Sequence, residues 1–157
     1  NGLIINNELD GALNYWNYAA RLEAKGFRTI ISVQKILPSL GIDGELPLIG
    51  YVFRESFESK NKLILSNFVR ASKEARDILR DSDAEWKRIR KLTGAKNDLM
   101  LNKIKISFRN GIPKGKNKDM HNTMESAFKV LLEIGGRKLV GNGKDLEKGT
   151  FWFEEGL

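Results

Sequence analysis

A near-continuous apolar run, PLIGYVF, occupies residues 47–53 and leads directly into a long helical pattern. Such a run is typical of a strand buried on both faces of a sheet. In the pattern that follows, Leu65, Phe68 and Val69 recur at spacings of three and four residues, as on one face of a helix. A strand that passes straight into a helix favours an α/β fold over a helical bundle.

A second transition of the same kind lies near the N-terminus. The apolar piece ALNY precedes a helix that we predict from about Asn17 to Lys25, with Gly26 as its C-terminal cap. FRTIISV, residues 27–33, is rich in β-branched side chains and predicts another strand. The fold class expected from this order is α/β, with short strands on the N-terminal side and a mostly helical second half.

Local signals divide the helical half into separate helices. Asn61 is expected to break the long helix that follows PLIGYVF. Ser82 and Glu85 have the spacing of a capping box and predict a new helix start, and Gly94 predicts its end. A further helix is expected over 97–109, closed by Asn-Gly and a nearby proline.

The charge of the chain permits, without specifying, an acidic partner. Lys and Arg number 27 against 20 Asp and Glu, which gives a formal net charge of +7. These cations are mostly interleaved with acidic residues, and only KGKNK, residues 114–118, is a local basic run, which we predict as a loop. Interleaving favours a solvated surface over a nucleic-acid site, so no nucleic-acid partner is expected.

Sequence signals for catalysis are weak throughout. The chain has no Cys and one His, His121, which rules out thiolate chemistry and makes a transition-metal site improbable. GIPKGK is too short for a phosphate-binding loop, and Asn117 stands where that loop needs Ser or Thr. We therefore expect no catalytic residue, no metal site, no cofactor and no enzymatic activity.

Both transitions between a predicted strand and a helix have the composition of a ligand pocket. The first unpaired amides of a helix attract anions, aromatic side chains exclude water, and a few polar groups fix orientation. Trp16, with Asn on both sides of its Tyr-Trp pair, favours a pocket wall. For Phe53 and Phe57 a place in the core is an equally good interpretation.

An ordered series of segments resembles a known family. ELDGALNYWNYAARLEAKGFR, LPLIGYVFRESF, FVRASKEARDIL, SDAEWKRIRKLTGA, NGIP and LEIGGRKLVGNGKDLEKGTFW together resemble the C-terminal half of bacterial ABC-transporter substrate-binding proteins. The branch is the nitrate/sulfonate/taurine-like group, which includes proteins similar to thiamine-pyrimidine synthases. The resemblance covers roughly residues 9–152 and rests on the order of the segments, since none is diagnostic alone.

The resemblance implies a two-lobed periplasmic binding protein of type II, of which this chain would be a fragment. Residues 1–31 would end the second lobe and supply the crossover strand. Residues 32–46 would form a helix and loop near the hinge, and residues 47–157 the C-terminal part of the first lobe. The ligand of such proteins lies in the cleft between two α/β lobes.

The resemblance also implies site residues. ALNYW matches the strand end that faces the cleft, and GYVFRE matches a strand and helix start of the first lobe. Arg54 could pair with an anionic ligand, or alternatively with Glu58 four residues later. The ligand-binding candidates are Asn14, Tyr15, Trp16, Asn17, Tyr51, Phe53, Arg54 and Glu55.

The function implied is capture of a small anionic or heterocyclic solute and its delivery to an ABC permease. The protein is then expected in the periplasm, and as a monomer when full length. Two alternatives stay open on the sequence. One is an enzyme similar to thiamine-pyrimidine synthases on the same fold, and the other is a basic nucleic-acid-binding domain.

Overall fold

A computed structural model describes residues 1–114, 117–147 and 149–152, with the backbone alone for 117–119. The predicted KGKNK loop and the end of the predicted third domain therefore lie partly outside the described residues. Within those ranges, α-helices and one 3₁₀ helix are the regular structure, and no strand occurs. Their bounds are α1 Gly2–Ile5, α2 Trp16–Glu23, α3 Val33–Ile36, the 3₁₀ helix Leu37–Leu40, α4 Glu55–Asp81, α5 Asp83–Arg88, α6 Arg90–Thr93, α7 Asp98–Asn110, α8 Asn117–Gly135 and α9 Arg137–Val140.

The predicted α/β class is wrong for this structure. FRTIISV and PLIGYVF are both predicted as strands. Residues 27–32 of the first run and the whole of the second belong to no helix or strand, and Val33 begins α3. The physical reason is that a strand exists only through backbone hydrogen bonds to a neighbouring strand. The described part of the chain supplies no neighbouring strand, so these β-favouring residues form no sheet and are largely exposed.

The chain divides into two compact units. The first unit comprises Asn1–Ile30 and Leu63–Ile112, and the second comprises Ile31–Lys62 and Pro113–Leu157. Their boundary within α4 lies next to Asn61, whose φ of −137° and ψ of 32° are not helical. The break predicted at Asn61 is thus confirmed, and the asparagine side chain donates back to the Phe57 carbonyl at 2.9 Å.

The core of the first unit forms where α2 packs on α7. Its buried side chains are Ala20, Trp86, Met100, Leu101 and Ile104, with Phe108 and Leu79 packed against them. Trp86 donates its indole N–H to the Leu79 carbonyl at 2.7 Å, so burial leaves this polar group satisfied. The second unit has a smaller core of Leu37, Ile42 and Ala127, against which Leu46 and Val130 pack.

An ion-pair cluster joins α5 to α7 in the first unit. Asp83 accepts from Lys105 Nζ at 3.0 Å and from Arg109 Nη2 at 2.8 Å. Arg109 also donates through Nε to the Leu79 carbonyl at 3.2 Å. The hydrogen bonds from Lys105 and then Arg109 hold the pKa of Asp83 below its ordinary value, because both stabilise the carboxylate.

Asp83→Asn is expected to lower the stability of the chain at neutral pH and to have no effect in acid. The folded pKa lies below the unfolded one, so the carboxylate stabilises the fold above the unfolded pKa of about 3.9. This contribution is lost as pH falls through the folded pKa. Urea midpoints from pH 7 downward, with exposed Asp10→Asn as control, measure it. A deficit of the same size in acid would contradict this assignment.

Candidate functional site

The start of α2 carries the first four predicted site residues. Tyr15 occupies the N-cap position with an extended backbone, and its carbonyl accepts from the amides of Tyr18 and Ala19, each at 3.0 Å. Within the described ranges, the Trp16 and Asn17 amides have no backbone acceptor. These two N–H groups, together with the helix dipole, favour a negative group at this end of α2.

Aromatic side chains surround this helix start. The Trp16 ring meets Phe108 edge-on with centroids 6.1 Å apart, and Phe108 meets Trp86 at 5.3 Å in the same manner. Trp16 therefore contacts the core through Phe108, and the residue remains 42% exposed. Tyr15 and Tyr18 are also exposed. An aromatic side chain that contacts the core and is partly exposed can also contact a flat ligand.

α2 is held in place by contacts along its length. Arg21 donates to the Thr93 carbonyl at 2.6 Å and to the Gly94 carbonyl at 3.4 Å, which caps the C-terminal end of α6. Glu23 lies 3.7 Å from Lys103 of α7. At the other end, Asn1 donates to the Tyr18 carbonyl at 3.0 Å. The helix that carries Trp16 is thus anchored on the α6–α7 side of its unit.

The N-terminal segment contains a hollow of about 280 Å³. Its lining is mostly apolar and comes from the N-terminal segment, namely Asn1, Gly2, Leu3, Ile4, Asn6, Leu9 and Ala12. None of the predicted site residues lines it. One lining residue, Asn1, donates to the Tyr18 carbonyl of α2, which is the contact that the structure gives between this segment and the helix.

The second predicted group lies at the start of α4, in the second unit. Tyr51, Phe53, Arg54 and Glu55 are all exposed there. Phe53 meets Trp152 edge-on at 5.9 Å, and the Trp152 indole donates to Glu58 at 3.1 Å. Glu58 lies 3.9 Å from Lys62. The alternative pair of Arg54 with Glu58 does not occur among the ion pairs of the described residues.

The structure divides the predicted residues between the two units. Asn14, Tyr15, Trp16 and Asn17 belong to the first unit, and Tyr51, Phe53, Arg54 and Glu55 to the second. Each group is brought together by sequence adjacency, and the assignment of both as one site stays a prediction. Sequence reasoning missed Phe108, which supports Trp16. Its place on a helix of ordinary amphipathic pattern gave no signal for that contact.

The single histidine, His121, has an acidic and an aromatic side chain as neighbours. His121 Nε2 lies 3.9 Å from Glu125, and the imidazole ring packs edge-on against Phe151 at 5.4 Å. No group of three acidic or His side chains within the described ranges could hold a metal ion. Among the described helices, none combines the length and apolarity that crossing a membrane would require.

No protein-family model matches the chain, and no curated protein matches it.

Proposed function

We propose that this chain is the solute-binding component of an ABC importer and that a small anionic or heterocyclic solute binds at the start of α2. The proposal rests on the residues at the start of α2 and on the ordered series of sequence segments that resembles the family of substrate-binding proteins. It does not rest on a two-lobed α/β architecture, which the described residues lack. In this proposal the protein is exported to the periplasm, where it captures the solute and delivers it to a membrane permease.

The observation that carries the proposal is the placing of Trp16. Covering the exposed apolar surface of a large aromatic side chain with a ligand is favourable by about 25 cal/mol per Å². Trp16 keeps a large part of its surface open while Phe108 fixes its edge. Such pre-organisation lowers the entropy cost of binding, because the ring is already in place.

The chemistry at the start of α2 suits a flat ligand that carries or contains an anionic group. The free amides of Trp16 and Asn17 offer hydrogen bonds to an anionic oxygen. The half-buried Asn14 and Asn17 side chains carry both donors and acceptors, which can fix the orientation of a polar ring. Stacking on Trp16 supplies the apolar contact. No bond is made or broken in this function.

Trp16→Ala is expected to weaken solute binding at least about tenfold, which corresponds to about 1.4 kcal/mol. Isothermal titration of the purified chain with nitrate, taurine, an alkanesulfonate and an aminopyrimidine measures this. Phe68→Ala is the matched control, because Phe68 is 45% exposed against 42% for Trp16 and lies in the same unit. Its affinity should equal that of the unaltered chain.

Two results would contradict the proposal. One is the absence of binding by every solute of the panel to the unaltered chain. The other is an equal loss of affinity in Trp16→Ala and Phe68→Ala, which would place the ligand elsewhere or attribute the loss to stability. Circular dichroism of both variants separates a lost contact from a lost fold.

A further inference from the structure

Three Asn-Gly pairs occur in the chain, namely Asn1-Gly2, Asn110-Gly111 and Asn142-Gly143. In such a pair the backbone nitrogen of glycine can attack the side-chain amide carbon of asparagine and close a five-membered ring. Glycine favours this attack, because it has no Cβ to hinder the approach and adopts more backbone conformations than other residues. The reaction still needs a free backbone nitrogen and a free side-chain amide, and the three pairs differ in these two groups.

The second pair is held at its backbone nitrogen. Asn110 is the last residue of α7 and is exposed, but the Gly111 amide donates to the Ser107 and Phe108 carbonyls, both at 3.1 Å. These hydrogen bonds close the C-terminal end of the helix. The last turn of α7 must open before this nitrogen can lose its proton and attack. Exposure of the asparagine alone is therefore not sufficient for reaction.

The first pair is held at its side chain. The Asn1 Nδ2 group, which would leave as ammonia, donates to the Tyr18 carbonyl of α2 at 3.0 Å. The amide carbon can turn toward the Gly2 nitrogen only when this hydrogen bond breaks. Asn1 therefore reacts only through the fraction of chains in which the contact with α2 is open.

The third pair is free at both groups. Asn142 is exposed and follows Gly141, which ends α9 with a φ of 81°. Among the described residues, neither the Asn142 side chain nor the Gly143 amide has a hydrogen-bond partner. A glycine on each side gives Asn142 wide conformational freedom, so its amide carbon can approach the Gly143 nitrogen.

We propose that Asn142 is a site of spontaneous deamidation, with water as the co-reactant, and that it reacts faster than Asn110 and Asn1. The Gly143 nitrogen loses its proton to the solvent and forms a bond to Asn142 Cγ. The bond from Cγ to Nδ2 then breaks, and ammonia leaves with a proton from the solvent, so that a succinimide remains. Water opens the succinimide at either carbonyl, which gives aspartate or its β-linked isomer, isoaspartate. The net change is one water consumed and one ammonia released.

The modification changes the charge of the second unit. Both products carry a carboxylate where the amide was, so the formal net charge of +7 falls by one. The second unit contains twelve Lys and Arg against eleven Asp and Glu, and this carboxylate makes it formally neutral. The exposed turn after α9 thus carries an irreversible charge change that needs no enzyme.

Peptide mapping of the purified 157-residue chain, aged at mildly alkaline pH, tests the site. Trypsin releases Asn110 and Asn142 in separate peptides, 110–114 and 139–144, and mass spectrometry measures the fraction of each asparagine that is converted. In the folded chain Asn142 is expected to react at least about tenfold faster than Asn110. Asn1, read from peptide 1–21, should also lag behind Asn142. Guanidinium chloride removes the hydrogen bonds of α7, so the rate at Asn110 should then approach that at Asn142.

Two substitutions assign the charge change to one residue. Asn142→Gln should remove the acidic form that ion-exchange chromatography separates from the aged chain, because attack on glutamine has to close a six-membered ring. Asn110→Gln is the matched control, since it alters the other exposed Asn-Gly pair, and it should leave that form in place. Equal rates at Asn110 and Asn142 in the folded chain, a rate ratio unchanged by guanidinium chloride, or loss of the acidic form in Asn110→Gln would overturn the inference. None of these results depends on solute binding at Trp16.

Discussion

Trp86→Ala is expected to destabilise the first unit by about 3–5 kcal/mol, the usual cost of removing a buried aromatic side chain. Trp86 is 3% exposed and packs with Met100, Leu101 and Ile104 between α2 and α7. Removal would also take away the ring that supports Phe108, and with it the support for Trp16. Since whole domains are stable by only about 5–15 kcal/mol, this loss should remove a large fraction of the unit's stability.

Trp86→Phe is the control for that prediction. A phenyl ring keeps most of the packing and loses the hydrogen bond to the Leu79 carbonyl, which still accepts from Arg109. The expected cost is about 1–2 kcal/mol, since one hydrogen bond contributes about 0.5–1.5 kcal/mol. Urea unfolding followed by circular dichroism ranks the two variants. Equal midpoints for Trp86→Ala and the unaltered chain would show that this core is not formed.

Gly44→Ala is expected to destabilise the second unit by about 2–5 kcal/mol, through left-handed strain and overpacking together. Gly44 has a φ of 99°, which residues with a Cβ rarely adopt. A Cβ there would lie 2.7 Å from Thr123 Oγ1. Thr123 is buried and donates to the Asp43 carbonyl at 2.9 Å, so the hydroxyl cannot move without losing that bond.

Gly41→Ala separates the two causes. Gly41 also has a positive φ, 70°, but a Cβ at this position would meet no atom within 4 Å. Its expected cost is the conformational strain alone, about 1–2 kcal/mol. Thermal unfolding of the two variants gives the comparison. If Gly41→Ala were as destabilising as Gly44→Ala, the close approach of Thr123 to the 43–44 turn would be contradicted.

The short-range features of the helices could be predicted from the sequence. Ser82 accepts from the Glu85 amide at 3.2 Å, as the capping-box spacing predicts. Asn97 caps α7 by accepting from the Met100 amide at 2.9 Å. Gly94 ends α6 in the left-handed conformation. Each of these depends on residues within one helical turn, where side-chain chemistry alone decides the outcome.

The strands could not be predicted in the same way. FRTIISV and PLIGYVF have the side chains of buried strands, but pairing depends on a partner that periodicity cannot reveal. In the structure both remain outside any sheet, which removes the ground for the α/β class.

The candidate site was predictable in part. The crowding of Asn, Tyr and Trp at residues 14–18 is visible in the sequence, and the start of α2 at Trp16 agrees closely with the helix predicted from about Asn17. What the sequence could not supply was the support from Phe108, a contact between residues 92 positions apart.

The measurement that tests the proposed function most directly is an NMR titration of the ¹⁵N-labelled chain with the solute panel. The three tryptophans give three indole N–H signals, at Trp16, Trp86 and Trp152. Binding at the start of α2 predicts that the Trp16 indole and the Asn14 and Asn17 side-chain amides shift with one saturable constant, while Trp152 does not move. Spectra unchanged by every solute, or shifts at Trp152 without any at Trp16, would contradict the account.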